Sequence, residues 1–253
     1  LPTDVFAPAP KIERIRHELK RRDLVVVAKQ HVTPAMLRIT LSGEAAADFV
    51  SLAPDDHIKI FIPAETGDIE RRDYTPRSYN PATRTIVIDF ALHEAGPATL
   101  WALEAQVGDT LSIGGPKGSA VVSPDIAHWL LIGDETALPA IGRRIEEARA
   151  GQNITALIAV TGPDEQQDFV SQANLDIHWA HRPLSDAANA EPLLQKLQDI
   201  EILPETFVWI AAEAMVTREL RRYLLEQRAH PLSWTKAAGY WVKGKADSHE
   251  KFE

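Results

Sequence analysis

Arg71-Arg72-Asp73-Tyr74-Thr75-Pro76-Arg77-Ser78-Tyr79-Asn80 reads as one extended segment, and it carries three arginines, two tyrosines and two hydroxyls. Guanidinium forks hold a pyrophosphate, an aromatic face receives a fused ring, and a short hydroxyl can bond the ring's edge. That donor set suits a flavin dinucleotide. A surface strand with solvated arginines, and tyrosines lying over a core, accounts for the same ten residues equally well.

The segments that follow narrow the choice. Thr85 to His93 alternates, with Ile86, Ile88, Phe90 and Leu92 on one side and Val87, Asp89, Ala91 and His93 on the other, the pattern of a half-buried strand. His93-Glu94-Ala95-Gly96 then turns the chain into a helix starting at Pro97-Ala98-Thr99-Leu100-Trp101. Proline suits a first helical turn, and the unpaired N–H groups there form an anion site. A second glycine-rich turn, Gly114-Gly115-Pro116-Lys117-Gly118-Ser119, lacks the Gly-Lys-Ser/Thr ending of a phosphate-binding P-loop.

Composition sets the outer bounds. The chain has 253 residues with ordinary apolar and charged fractions, enough for two modest domains. No run of about 18 apolar residues marks a membrane helix. Leu1 to Phe6 shows neither the basic nor the apolar region of a signal peptide, so the cytoplasm is the expected location. With no cysteine, disulfides, thiolate metal sites and cysteine nucleophiles are excluded, and redox chemistry requires a bound cofactor. A net charge of −9 speaks against a nucleic-acid binder.

Along the chain, Lys11 to Arg22 has Ile12, Ile15 and Leu19 at helical spacing and reads as a short peripheral helix. Leu24 to Gln30 and Ala35 to Leu41 read as strands divided by Thr33-Pro34. In Asp55 to Pro63, Ile58, Ile60 and Ile62 face inward and Lys59 shares the other side with His57 and Phe61. By itself Lys59 is an ordinary solvated strand lysine. Antiparallel patterns run to about Val122; from His128 to Ile132 onward, apolar strands alternate with helices, the grammar of a parallel sheet. Strands are expected at Ile154–Val160, Leu175–Ala180 and Phe207–Ala212, and helices after Leu138, over Glu191–Asp199 and over Met215–Gln227. The boundary falls near Ser123-Pro124-Asp125, giving domains 1–124 and 125–253.

Gly133-Asp134-Glu135-Thr136-Ala137-Leu138-Pro139 ends one such strand. Glycine permits close backbone approach and the helix start behind it suits a pyrophosphate, while Asp134 and Glu135 also read simply as acidic first-turn residues opposing the helix dipole. His178 and His181 are spaced for opposite faces of a strand, which speaks against a metal pair. Arg182 could meet a nucleotide 2′-phosphate or stand as a solvated loop arginine. Leu232 to Trp241 reads as a strand with an exposed aromatic end, followed by Lys243 and Lys245.

Arg72-x-Tyr74-Thr75-x-Arg77, His93-Glu94-Ala95-Gly96-Pro97-Ala98-Thr99-Leu100-Trp101, Gly114-Gly115-Pro116-x-Gly118-Ser119, Gly133 to Ala140 and Gly239-Tyr240-Trp241-x-x-Gly244, in this order, resemble the siderophore-interacting protein family. The resemblance spans nearly the whole chain. It implies a ferredoxin-reductase-like fold, with an antiparallel β-barrel for FAD followed by an α/β parallel-sheet domain for NADPH or NADH. It further implies that Arg72, Tyr74, Thr75, Arg77, His93, Gly96, Ala98, Thr99, Gly133, Asp134, Thr136 and Ala137 hold cofactor. Lys59, Lys243 and Lys245 would hold an anionic ferric siderophore, with Tyr240 and Trp241 shielding the flavin. Where the family commonly has Gly-Glu, this chain has Ala212-Glu213, which narrows the approach of a nicotinamide. The implied activity is reduction of a ferric siderophore by a monomeric flavoprotein, with ferredoxin as the other candidate donor. A reductase serving another acceptor and a non-enzymatic siderophore carrier are the alternatives.

Overall fold

A computed structural model describes residues 8–63, 67–92, 96–244 and 250–251. The expectations placed on Leu1 to Phe6, His93 and Lys245 lie outside the described residues. In the first half the strands are β1 (Ile12–Arg16), β2 (Arg21–Thr33), β3 (Met36–Ser42), β4 (Ile58–Pro63), β5 (Ile69–Tyr74), β6 (Pro76–Asn80) and β7 (Thr85–Ala91). Helix α1 (Pro97–Glu104), β8 (Thr110–Gly114) and β9 (Gly118–Val122) complete it.

Seven of these strands form one antiparallel sheet in the order β5-β4-β8-β2-β3-β7-β6. Its two edge strands, β5 and β6, are consecutive in sequence and joined by Thr75 alone. Six inter-strand gaps would hold the edges of a flat sheet about 29 Å apart, whereas the two steps from Tyr74 through Thr75 to Pro76 reach about 7 Å. The sheet therefore curls on itself into a barrel. The expected single strand over Arg71 to Asn80 is in fact two strands, one on each side of the seam. Inside lie Leu24, Val26, Leu37, Ile39, Leu41, Ile58, Ile60, Ile86, Ile88 and Phe90, all sealed from solvent. Their alternation along each strand is what the sequence displayed.

The expected helix over Lys11 to Arg22 is not formed. Residues 12–16 instead pair antiparallel with β9, where an added Cβ on Gly118 would stand 2.5 Å from the Ile15 carbonyl oxygen. The apolar spacing at Ile12, Ile15 and Leu19 was coincidental, since Leu19 is exposed and the segment's pairing partner lies about a hundred residues away.

The second half contains β10 (His128–Gly133), α2 (Leu138–Glu146), β11 (Asn153–Val160), β12 (Asn174–His181), α3 (Glu191–Gln198), β13 (Thr206–Glu213), α4 (Ala214–Glu226), β14 (Thr235–Trp241) and β15 (Glu250–Lys251). The sheet order is β12-β11-β10-β13-β14-β15. The first five strands are mutually parallel and β15 runs antiparallel to β14. Counted from β10 the order is 3-2-1-4-5, that of a doubly wound nucleotide-binding sheet. One face packs Leu131, Ile158 and Trp209 on α2; the other packs Leu130, Ile132, Val208 and Ile210 on α3 and α4. Among the described residues no helix is long and apolar enough to cross a membrane.

Helix α2 joins the two halves. Buried Arg143 donates to the Ser51 hydroxyl (2.7 Å) and carbonyl (2.8 Å) and to the Pro76 carbonyl (3.3 Å). Asp55, on the loop before β4, accepts from the Trp209 indole (3.2 Å) and the Lys236 ammonium (2.5 Å). Glu165, in the turn after β11, bonds Thr33 and the Ala35 amide at 2.5 and 2.8 Å. Buried polar groups of this kind leave costly orphans when one partner goes. Arg143→Ala strands the Ser51 and Pro76 carbonyls and is expected to lower stability by about 2–4 kcal/mol, read from the urea midpoint.

Burial opposes ionisation of Asp55, but Lys236, Arg144 and the Trp209 N–H outweigh it and hold the carboxyl below the usual range. A carboxyl depressed in the folded state contributes stability above its unfolded pKa, about 3.9, and this is lost as pH falls through the folded value. Asp55→Asn is expected to be less stable than the parent near neutrality, and the difference should vanish in acid. Urea midpoints from about pH 7 to pH 3 check both limits.

Candidate active site

The site begins at the barrel seam. On β5, Tyr74 lies opposite Ile58 and Arg72 opposite Ile60. Cross-strand partners share a face, so both side chains point to the side of the buried isoleucines. The Tyr74 ring packs 4.6 Å from Phe90, which lies 5.8 Å from Trp101 of α1. Burial pushes the Tyr74 hydroxyl up against the opposing pull of Arg72, so the phenol stays neutral. Arg72 donates to the Arg71 carbonyl at 2.8 Å and pairs with Glu70. Thr75 is buried at the seam. Helix α1 starts at Gly96 with proline in its first turn and no side-chain cap, and Ala98 and Thr99 are buried beside the barrel core.

Arg77 has partners other than the expected pyrophosphate. Its two terminal nitrogens grip Glu146 of α2 at 2.7 and 2.6 Å, and Nε lies 3.7 Å from Asp89. It is buried, and it bridges barrel to helix.

The second part lies where β10 and β13 end side by side, the switch point of the doubly wound sheet. Gly133 is required there, because a Cβ would stand 2.6 Å from that of Ala137 and 2.8 Å from the Ala211 carbonyl oxygen. Asp134 is consumed within the chain. One carboxylate oxygen accepts from the Thr136 amide (2.9 Å) and hydroxyl (2.5 Å). The other accepts from the Glu213 amide (2.9 Å) and the Trp241 indole (2.9 Å). Asp134 and the Thr136 hydroxyl, both expected at the cofactor, bond each other here, and Ala137 packs on Gly133. Glu213 caps α4 through the Met215 and Val216 amides and accepts from the Lys243 amide at 3.1 Å.

The aromatic end of β14 is not exposed as the sequence suggested. Tyr240 meets Trp209 edge-on at 6.1 Å, and burial, reinforced by Asp55, Asp56 and Asp134, pushes its hydroxyl well up. Arg182 is neither solvated nor open to a ligand. It is buried and holds Glu135 at 2.7 Å, whose carboxyl burial and the adjacent Asp134 push up despite that arginine. His178 bonds Asp176 and His181 bonds Gln166.

Two of the expected lysines, Lys59 and Lys243, lie among the described residues, and both are bonded within the chain. Lys59 faces the outer wall of the barrel, opposite to Tyr74, and pairs with Asp73 at 3.0 Å. Lys243 reaches the Ser185 carbonyl at 2.5 Å, beyond β12. The sequence reading missed Asp55, Arg143 and Trp241 as the residues that tie the site together. A pair of adjacent arginines beside Ile141 and Ile145 was the one available signal for the α2 interface.

A barrel seamed at an Arg-x-Tyr-Thr strand, followed by a doubly wound sheet, defines a ferredoxin-reductase-like fold. A siderophore-interacting FAD-binding domain matches residues 25–71 and 68–120, and a siderophore-interacting protein domain matches residues 126–244. The chain is 31% identical over 252 residues to an NADPH-dependent ferric-chelate reductase of Escherichia coli (strain K12), covering 90% of this chain and 96% of that protein. It is 28% identical over 270 residues to the ferric vibriobactin reductase ViuB of Vibrio cholerae serotype O1, covering 95% and 96%. A crystal structure of a siderophore utilization protein from T. fusca superposes with a TM-score of 0.87 at 33% identity, covering 94% of this chain and 98% of that one. The chain belongs to the siderophore-interacting protein family.

The Asp134 clasp is directly testable. Asp134→Ala leaves the Glu213 and Trp241 N–H groups without their acceptor, at a cost of about 2–3 kcal/mol. Hydrogen exchange should accelerate at residues 213 and 241–243, with the barrel amides unchanged.

Proposed function

We propose that this protein is an FAD-dependent oxidoreductase that takes electrons from NADPH or NADH and delivers them to the iron of a ferric siderophore. The observation that carries this reading is the seam, where Arg72, Tyr74 and Thr75 meet the uncapped start of α1. These residues fit the cofactor. Tyr74 supplies a neutral aromatic face, Thr75 has no hydrogen-bond partner among the described residues, and the first turn of α1 offers backbone donors.

When bound, FAD accepts electrons in pairs from the reduced nicotinamide and passes them singly to ferric iron. Arg72 would hold the pyrophosphate, exchanging Glu70 for it, and Gly96, Ala98 and Thr99 would receive its charge at the helix start, joined by His93. Thr75 would bond the flavin's reactive edge. Arg77 ties the barrel to α2 and Asp134 ties β10 to β13 and Trp241, so both would position the walls of the cofactor site, with Thr136 beside Asp134. Gly133 and Ala137 shape the end of β10, where they would leave room for a nicotinamide nucleotide. Ferrous iron leaves because reduction weakens its hold on hard oxygen donors. No general acid or base takes part.

A division at residues 124 and 125 assigns FAD to the first domain and the nicotinamide to the second; the matched segments, ending at 120 and starting at 126, support it. Lys59, Lys243 and Lys245 supply positive charge around an anionic chelate. NADPH supply puts the reaction in the cytoplasm.

Purified protein mixed anaerobically with NADPH or NADH is expected to lose its flavin colour, and ferric siderophore should restore it. Tyr74→Ala is expected to weaken FAD binding about tenfold, equivalent to about 1.4 kcal/mol. Protein that takes up no FAD on titration overturns the reading.

A further inference from the structure

At the foot of the parallel sheet, away from the strand ends that carry Gly133 and Glu213, a cavity of about 180 Å³ opens between the starts of β10, β11 and β13 and the segment 199–205 that joins α3 to β13. The register shows which side chains line it. His128 pairs with Asn153 and with Thr206, and Leu130 pairs with Thr155. Cross-strand partners share a face, and Leu130 belongs to the face that packs on α3 and α4. Farther along the same three strands that face is apolar, with Ile132, Leu157, Ala159, Val208, Ile210 and Ala212. The polar residues at its foot interrupt it.

Those polar groups are not spent within the chain. Thr206 is buried, and its hydroxyl, like that of Thr155 and like the His128 ring, has no hydrogen-bond partner among the described residues. Buried polar groups without a partner are uncommon and call for one. Asn153 spends its carbonyl oxygen on Asn174 at 3.0 Å, which leaves its amide N–H groups for the cavity. The facing wall is a turn closed by the Thr206 amide on the Leu203 carbonyl at 3.2 Å. It contributes Leu203 and the exposed Glu201, whose carboxylate pairs with no cation among the described residues. Among the described residues no lysine or arginine lines this space.

We propose that this cavity is a second ligand site, separate from the electron-transfer site, and that it takes a small hydroxylated aromatic amine. Each part of that ligand answers a feature of the wall. Glu201 at the rim attracts an ammonium, and with no basic side chain in the lining an anion has nothing to hold it; the net charge of −9 favours a cation further. Thr155, Thr206, Asn153 and His128 supply neutral donors and acceptors for one hydroxyl. Leu130 and Leu203 supply apolar surface for the ring between the two polar ends. A cavity of about 150 Å³ takes up benzene, so this one admits a single ring with short substituents. Five steps along β10 separate His128 from Gly133, about 17 Å. Occupancy therefore touches neither cofactor, and the inference stands independently of the reductase reading.

Tyramine, a phenol joined to an ammonium by two methylenes, is the probe. Calorimetric titration of the full chain at low salt should give a Kd of about 1 mM or tighter, and amide NMR shifts should fall at residues 128–130, 153–155 and 201–206 and spare 133–137. The analogue with a carboxylate in place of the ammonium should bind at least tenfold more weakly, and phenethylamine, which lacks the hydroxyl, about threefold more weakly. Glu201→Gln should weaken tyramine about tenfold, and Thr206→Val, which removes the hydroxyl and keeps the shape, about threefold. Glu201 is exposed, so its variant keeps the test decisive if Thr206→Val fails to fold. Absence of binding at about 10 mM tyramine, equal affinity for the carboxylate analogue, or affinity unchanged in Glu201→Gln overturns the proposal. NADPH bleaching of the flavin should be the same in Glu201→Gln as in the parent.

Discussion

One linking residue between two sheet edges governs this structure. Thr75 joins β5 to β6, the first and last strands of the seven-stranded sheet, and no flat arrangement allows so short a link. Closure follows, and with it the position of Arg72, Tyr74 and Thr75 at the mouth of a barrel whose interior is filled by isoleucine, leucine and phenylalanine. The side chains that suit a flavin are thus held by the geometry that closes the core. The proline after Thr75 fits that turn, since its fixed φ and missing N–H suit the start of an edge strand.

The second constraint is the surface between the barrel and the parallel sheet, which is polar to an unusual degree. Arg143, Asp55, Arg77 and Glu165 each reach from one half into the other and find hydrogen-bond partners there. Such groups stabilise little relative to a well-packed apolar contact, yet they penalise every misaligned arrangement because each would leave a buried charge exposed to no partner. In the proposed reaction a flavin held by one half meets a nicotinamide held by the other, and a fixed relative placement then matters more than adhesion. The Asp134 clasp extends the same logic to the C-terminal strand, tying β10, β13 and Trp241 at the switch point.

Much of the fold was legible because its signals are local. Strict alternation in Thr85 to Ala91 and at Ile58, Ile60 and Ile62 marked barrel strands, and the change to continuous apolar strands followed by amphipathic helices marked the parallel sheet. The errors share a cause. The segment at Ile12 to Arg16 has no strong pattern of its own and becomes a strand only because β9 lies alongside. Likewise, Arg71 to Asn80 has the composition of one strand, and nothing nearby in sequence states that its halves form opposite edges of the sheet.

By itself, then, the sequence determined the two architectures, their order and the family motifs, since periodicity and ordered short motifs are properties of neighbouring residues. Only the tertiary structure decided which polar groups face a ligand and which are spent internally. Arg77 and Asp134 belong to the same motifs as Arg72 and Gly133, yet they bond Glu146 and Trp241, residues about 70 and 107 positions away. A charged side chain's role depends on what the fold places opposite it, and that partner is rarely a sequence neighbour.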